Sequence, residues 1–560
     1  MCDYRTKYFC LKDKKYREYI CPHDGFETTN QDGKTYCIFH RKENKDTIDF
    51  RNELEKFYEG GKSHEFIGFI FPKDFNFQEF YIRTCRKHFM NAIFYKAKFL
   101  CYADFNSVEF NCETGTDFGR AKFFKGASFR SAKFCGKGVI NFYNTKFLGT
   151  ENVSFYSTEF LCFNEVSFQK TKFTEGGSVS FYLTKFEGIG CVRFDMADFS
   201  KCKQAYFIDV EFSMNQEVSF WKADFSGSVQ VRFTGSTFNN AIETIFTNVD
   251  IGEDAKITFK KVDLNRCRLI GTDLLKINFY NVFWTGRKYM AKFPRFRIKI
   301  YDELFSERGQ KIRYIDCVLQ YLKISKIPLK LYRRIGLNRL REKCINQYYF
   351  KSSNSKLSKK LICLLNTFYN WVKVVEAEKE QNHSEVSLLY SKLLQNYENS
   401  NRAHEAGDFF AGLMEMRRRE SLEKRNVRII LWFYRLFSLY GERPNWALGW
   451  LLIVILFSGL LNLNSGIKLE TSKNEEPIQM EVFNMTTYFD PTLRYQFYEN
   501  YPKALSVSLN IFTLNRVKSY YILNDRVWGP FILTAQMGIF TIFISLFILA
   551  MNRKFRRRKD

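Results

Sequence analysis

Six residues among the first forty are of types that hold metals: Cys2, Cys10, Cys21, His23, Cys37 and His40. Thiolate sulfur and imidazole nitrogen are the donors a tetrahedral zinc ion takes. In Cys37-Ile38-Phe39-His40 two donors stand three residues apart, so one tight turn can present both. Cys21-Pro22 offers a third donor on a turn, and either Cys2 or Cys10 would complete a Cys3His set. A filled tetrahedron leaves no position for substrate, so such a site is expected to be structural, capping a domain or binding a partner.

The remainder of the chain offers little catalytic chemistry, and an enzyme is not expected. Neither G-x-S-x-G nor H-E-x-x-H occurs. Gly61-Lys62-Ser63 has the end of a phosphate-binding loop, but Lys56 stands where that loop needs its first glycine, so its backbone cannot wrap a phosphate. His383 and His404 lie in polar helical stretches with no nucleophile nearby.

The element that must carry the Cys/His segment is announced by a repeat. A phenylalanine stands every thirteen residues from Phe129 to Phe259, and a second series, Phe134 to Phe238, follows five behind the first. Two positions before each ring the residue is small or β-branched, as in Ala127, Ala132, Ile140, Thr145, Val153 and Thr158. The ladder extends back through Phe123, Phe118, Phe110, Phe105 and Phe99 to Phe94. It continues at strict fives through Leu264, Leu269, Leu274, Phe279 and Trp284. Neither the 3.6 period of a helix nor the simple alternation of a strand fits. A fixed short period marks a solenoid, whose units bury apolar side chains only by stacking on one another.

The run Val262-Asp263-Leu264-Asn265-Arg266-Cys267-Arg268-Leu269 follows the A(D/N)LxX pattern, and the chain resembles the pentapeptide-repeat family. The resemblance implies a right-handed quadrilateral β-helix with four sides per coil. Sides spaced 5, 8, 5 and 8 give 26-residue coils, eight of them between Phe94 and Trp284. Residues 26 apart should then stack, placing Lys133, Glu159, Lys185 and Glu211 in one column and Lys146, Lys172, Asp198 and Asp224 in another. A C-x-Y, C-P, C-I-F-H series also opens many members. It is matched here by Cys2-Asp3-Tyr4, Cys21-Pro22 and Cys37 to His40, which favours Cys2 over Cys10 as the fourth ligand. The block Ala406–Arg418 (AGDFFAGLMEMRR) is similar to one in membrane-bound members. One role known in the family, mimicry of DNA, requires an acidic rod, and a net charge of +26 argues against it. Fifteen cysteines, odd in number and all at or before Cys363, do not suggest a disulfide framework; they suit a reducing compartment.

Two stretches lack charge altogether, Trp446–Leu463 and Gly529–Met551, and each is long enough to cross a bilayer as a helix. Arg417-Arg418-Arg419 and Lys424-Arg425 precede the first, and Arg553 to Lys559 follow the second. By the positive-inside rule both chain ends are cytoplasmic and residues 464–528 face out. The residues between Val427 and Tyr440 (VRIILWFYRLFSLY) read as an interfacial helix. Within the outer loop, Pro502 opens an apolar stretch placed like the pore helix of a two-span channel, with Ser508, Thr513, Asn515 and Arg516 as pore-lining candidates. The potassium filter TVGYG is absent, and Arg516 and Lys518 would repel cations at a pore mouth.

The expected organisation is a zinc knuckle (1–45), a rod cap (46–90), the β-helix (91–286) and a basic, partly helical connector (287–383). A helical hairpin (384–426) and an interfacial helix (427–445) follow. Next come the first span (446–463), an outer loop (464–528) with a pore-helix-like 502–514, the second span (529–551) and a basic tail (552–560). The order of parts suggests a cytoplasmic sensor or scaffold rod coupled to an ion-channel-like module in a bacterial cytoplasmic (inner) membrane. Two spans cannot enclose a pore alone, so the channel reading requires a homo-oligomer. The alternative is a non-conducting scaffold tethered by its spans and displaying the rod to a cytoplasmic protein. Nucleic acid, through the basic connector, ranks last among the partners.

Overall fold

In the computed structural model the chain divides into two compact units, residues 1–392 and 393–560. The structure describes residues 2–24, 34–42, 46–60, 64–84, 88–284 (apart from corner residues 163, 174, 215–216, 228, 239–240 and 242), 298–308, 382–420, 425–469, 478–480, 482, 491–513, 521–523 and 529–556. Most of the basic connector expected over 287–383 lies outside the described residues.

In the first unit the phenylalanine ladder folds into a four-walled β-solenoid of about seven turns. Each wall is a parallel sheet of very short strands. The longest has eight, from Ala103–Asp104 to Ile277–Tyr280. The spacing counted eight coils, and the structure has about seven turns. Along one wall the rings lie nearly parallel: Phe129 and Phe155 are 4.9 Å apart with planes 1° from parallel. Rings from facing walls meet edge to face, as Phe142 and Phe155 do at 5.9 Å and 87°. Both geometries suit the ring quadrupole, whose positive edge meets a negative face. Every ladder ring from Phe94 to Phe212 is at most 2% exposed, so the interior is a dry aromatic column.

The predicted register holds. Lys133 pairs with Glu159, Glu159 with Lys185, and Lys185 with Glu211. Lys146, Lys172, Asp198 and Asp224 stack in the same way. The coil is not uniform, however. It spans 24 residues between Asp117 and Asn141, 26 between Ser178 and Gln204, and shrinks to strict fives where Ile257 pairs with Ile277. The varying residues sit in the corners, so strands stay in register while corner loops grow or vanish. Corner geometry also explains a selection that the ladder alone does not reveal. The second residue after each ring on one corner, Arg120, Asn144, Lys170, Met196, Lys222 and Asn248, has φ between 52 and 57°. None is β-branched, the class for which the left-handed region is most costly.

The small inward residues have a second role. Thr145, Thr158, Thr171 and Thr184 are fully buried, and each hydroxyl donates at 2.7 Å to a carbonyl of the preceding coil: Phe118, Phe129, Phe142 and Phe155 in turn. Each of these carbonyls already accepts a backbone N–H from three residues on, as Phe118 does from Ala121 at 3.0 Å, so the hydroxyl fills the second lone pair and bonds one coil to the next.

Both ends of the column are covered. Before it come a hairpin of β1 (Arg5–Cys10) and β2 (Lys15–Ile20), then helix α1 (Thr47–Gly60). The first coil starts earlier than Phe94: Ile70–Phe71 pairs with Lys98–Phe99, and Phe66 stacks on Phe94 at 4.6 Å. Helix α2 (Phe77–Thr84), inserted between Phe71 and Phe89, hides this coil from the spacing. At the far end α3 (Tyr301–Arg308) brings the buried Asp302 carboxylate to accept from the Leu269 N–H at 3.0 Å. Burial pushes that carboxyl up to about 6, against the pull of Arg268 and the backbone donors.

Helix α4 (Asn382–Asn399) carries the expected apolar face: Val386, Leu389, Tyr390, Leu393 and Tyr397 are all buried. In the second unit follow α5 (Ala403–Arg419), α6 (Arg425–Ser438), α7 (Pro444–Ser465), α8 (Pro491–Thr513) and α9 (Gly529–Arg556). Helix α7 and the stretch Phe531–Arg553 within α9 are long and apolar enough to cross a membrane. Helix α8 differs from expectation. It begins at Pro491, and Pro502 lies inside it rather than opening it. Proline removes one helical hydrogen bond, yet the segment stays packed on α7, where the Tyr501 hydroxyl donates to the Leu456 carbonyl at 3.0 Å. Gly459 permits this approach, since a Cβ there would lie 3.3 Å from the Leu505 backbone.

Candidate functional site

Cys2, Cys21, Cys37 and His40 converge in the first unit, all buried, with their ligand atoms within 4.8 Å of one another. Backbone hydrogen bonds bring the three segments together. The Cys2 N–H donates to the His23 carbonyl at 3.0 Å, and the Cys21 N–H to that of Tyr4 at 3.1 Å. The Cys37–His40 turn closes when the His40 N–H donates to the Cys37 carbonyl at 3.0 Å. The geometry fits a tetrahedral ion. Two thiolates at the usual Zn–S distance stand about 3.8 Å apart, and the Cys21 and Cys37 sulfurs are 3.7 Å apart. The His40 Nδ1 lies 3.1 Å from the Cys37 sulfur and 3.7 Å from that of Cys2. Its Nε2 sits 2.9 Å from the Ile67 carbonyl. Donation there leaves the Nδ1 lone pair facing the sulfurs, the outer-shell arrangement that fixes a metal-bound imidazole. Tyr4 stacks on the His40 ring at 3.9 Å and holds its plane.

Two sequence candidates stay outside the cluster. The β1–β2 hairpin places Cys10 at the end of β1, where its thiol turns toward Asp13. His23 is packed edge-on against Phe39 and Phe57 at 4.8 and 5.3 Å, and burial depresses its pKa. Within the cluster, hydrogen bonds from Cys21 and Cys37 hold the Cys2 thiol far below the ordinary thiol range, while the same bond to Cys2 pushes Cys21 far above it. The cluster is fastened to the column. Phe39 stacks on Phe69 at 4.3 Å, and its carbonyl accepts from the Ile70 N–H at 2.8 Å.

In the second unit two of the four pore-lining candidates, Ser508 and Thr513, are among the described residues. Ser508 is fully buried, and its hydroxyl accepts from the Asn462 side-chain amide at 2.9 Å. Gln536 donates in turn to the Asn462 Oδ1 at 2.8 Å. Three polar side chains from α7, α8 and α9 are therefore joined by hydrogen bonds. Thr513 is the last residue of α8, and Asn515 and Arg516 lie outside the described residues.

A further cluster was not anticipated as a site, although it falls in the AGDFFAGLMEMRR block. Glu415 is buried and accepts from Arg418 at 2.8 Å, Arg419 at 2.7 Å and the Tyr440 hydroxyl at 2.7 Å, with Arg435 of α6 at 3.4 Å. Burial opposes ionisation here, but the Arg418 and Tyr440 hydrogen bonds and the charges of Arg419 and Arg435 prevail and hold its carboxyl down at about 2. Asp408 pairs with Arg443 at 3.3 Å. Arg553, near the end of α9, donates to the Tyr440 carbonyl at 2.8 Å and covers the Phe410 ring at 4.4 Å. One helix thus touches the start of α7 and the end of α9. The spacing Glu415, Arg418, Arg419 was a visible signal, but Tyr440 and Arg553 reach the cluster only through the fold.

No family model, no curated protein and no solved structure matches the chain.

Proposed function

We propose that this is a membrane-anchored protein of the pentapeptide-repeat type, in which α7 and α9 cross a bacterial cytoplasmic membrane with both chain ends inside and the solenoid serves as a rigid scaffold for a protein partner. The observation that carries the reading is the Glu415 joint. A charged, tightly bonded cluster at the basic ends of two apolar helices is what a cytoplasmic membrane boundary requires. The solenoid supports a binding rather than a catalytic role, since its interior is filled with rings. In this reading Cys2, Cys21, Cys37 and His40 hold a structural zinc ion that closes the first coil. Zinc would supply cross-linking there and no reaction step.

A second reading, an oligomeric pore gated through the joint, draws on the Asn462–Ser508–Gln536 group. Among the described residues the buried Ser458 Oγ and Gln536 Oε1 have no hydrogen-bond partner, so this junction has polar capacity to spare. The missing filter and the burial of Ser508 favour the tether. Purified full-length protein reconstituted in planar bilayers separates the two: a silent preparation supports the tether, and unitary currents from a ring-shaped oligomer support the pore. Alkaline extraction that strips the protein from membranes would overturn both. Metal analysis should find one zinc per chain, lost in Cys37→Ser and retained in Cys10→Ser; equal loss in both would overturn the zinc assignment.

A further inference from the structure

We propose that α6 binds the phosphate headgroup of an anionic phospholipid between Arg425 and Arg428, an inference that rests on the membrane reading above. Helix α6 is packed along one face and, at its C-terminal end, against α7 and α9. Leu431 and Tyr434 pack with Ala411, Leu439 and Tyr440, and Ser438 is buried. The remaining arc is apolar and open, with Ile429, Ile430, Trp432 and Phe433 each between 46 and 65% exposed. Exposed apolar area of this kind marks an interaction surface.

What covers it follows from continuity. Phe437, on the same arc, contacts Trp450 of α7 at 5.5 Å and Phe543 of α9 at 4.9 Å. The open arc of α6 therefore runs into the apolar sides of the two candidate spans, which expose Leu452, Ile453, Phe457, Ile539 and Ile542. A medium that covers those helices reaches α6 without a break.

The charge pattern selects the lipid. Arg425, Arg428, Ile429 and Trp432 fall at i, i+3, i+4 and i+7, one stripe of the helix, and line a shallow groove of about 340 Å³. Arg435 and Arg443 are paired with Glu415 and Asp408. Arg425 and Arg428 have no acidic partner among the described residues. Two free guanidinium groups present the forked donors that match phosphate oxygens. Tryptophan beside them belongs at headgroup depth, with its ring in the apolar boundary and its N–H in the polar layer. Because no carboxylate among the described residues offsets the two cations, a net-negative headgroup is preferred over a zwitterionic one. Each arginine near an anionic surface is worth about fivefold in binding.

The test uses full-length protein reconstituted with brominated phosphatidylglycerol or brominated phosphatidylcholine. The signal is the part of tryptophan quenching lost in Trp432→Phe. Phosphatidylglycerol is expected to associate there about 25-fold more strongly, two arginines at fivefold each, with the preference falling toward unity in Arg425→Gln/Arg428→Gln. Equal quenching by the two lipids in the unaltered protein, while it floats with the vesicles, overturns the headgroup inference and leaves the membrane reading standing. Quenching of the other tryptophans without Trp432 also overturns it and points to a protein on this face. Failure to float with either vesicle overturns the membrane reading itself.

Discussion

The solenoid and the helical unit each bury a carboxylate, and they treat it in opposite ways. Asp117, in a solenoid wall, meets only neutral donors, the Gly119 N–H at 2.7 Å and the Asn141 amide at 2.8 Å. Burial dominates and pushes its carboxyl up to about 7. Glu415 is as deeply buried, yet arginines and a tyrosine hold it down at about 2. The solenoid is a continuous apolar column, in which order is spread over many equivalent ring contacts and a charge is an intruder. The helical unit concentrates order in a few joints, of which Glu415 is the most connected. Damage should therefore spread differently in the two.

The largest effect is expected from the column. Phe168 is fully buried and stacks on Phe142 and Phe194 at 4.8 Å each. Phe168→Ala should cost about 4 kcal/mol through a cavity that stiff walls cannot collapse, and Phe168→Leu about 1 kcal/mol. Each coil touches only its neighbours. Peptide-resolved hydrogen exchange of the full-length protein should therefore show the loss confined to adjacent coils, with α5 to α9 unchanged. Loosening of the whole column would break the picture of spread-out order.

Glu415→Gln should act in the reverse manner, at about 3 kcal/mol, because it leaves several arginines without their counter-charge. Its exchange signature should extend over α5, α6 and the 439–443 turn together. Glu415 also predicts an acid transition. Its folded pKa of about 2 lies below the ordinary value of 4.5, so its contribution is fully present above about pH 4.5 and lost as pH falls toward 2. Exchange of the α5–α6 segment measured at successive pH values should show this loss, and Glu415→Gln should remove it.

The two regions differ in legibility for the same reason that they differ in order. The solenoid could be read because one short-range rule, a ring at every fifth or eighth position, is repeated until chance is excluded; even the columns of Lys133 and Lys146 followed from it. Its first coil could not, because α2 interrupts the spacing between Phe71 and Phe89. The Cys/His group was half legible. Residue type and the Cys37–His40 spacing named the chemistry, and the Cys2-Asp3-Tyr4 resemblance favoured Cys2, which does join the group; the hairpin that turns Cys10 away was not visible in the spacing. The Glu415 joint was scarcely legible, since Tyr440 and Arg553 approach it from distant sequence. Helix α8 misled at Pro502, where packing on α7 outweighs the local preference of proline to begin or end a helix.

Asp117→Asn sharpens the opening contrast from the other side. Both hydrogen bonds fall on one oxygen, Oδ1, which asparagine retains. The folded pKa of Asp117 is raised from 3.8 to about 7. Its favourable contribution is therefore present below about pH 3.8 and lost as pH rises toward 7, the reverse of Glu415. The substitution should stabilise the first coils by about 2 kcal/mol at pH 8 and change little at pH 3.5, as read from exchange of peptides covering residues 92–142. Destabilisation at pH 8 would mean that the charge itself has a partner in the wall.

The smallest effect tests whether the outer charge columns hold the solenoid together. Lys133 lies 3.5 Å from Glu159 and pairs in register with Glu109 on its other side, half exposed to solvent. Water screens such pairs, and the entropy of ordering a long side chain offsets most of the attraction. Lys133→Met should therefore shift stability by less than about 0.5 kcal/mol. Lys133→Glu sets three acids in a row, and like charges directly opposite repel. It should cost about 1 kcal/mol at low salt, and the loss should fade by 0.5 M salt as the screening length shortens. A salt-insensitive loss of several times that size would move the cohesion of the column from its rings to its surface, and with it the distinction between the two regions would fail.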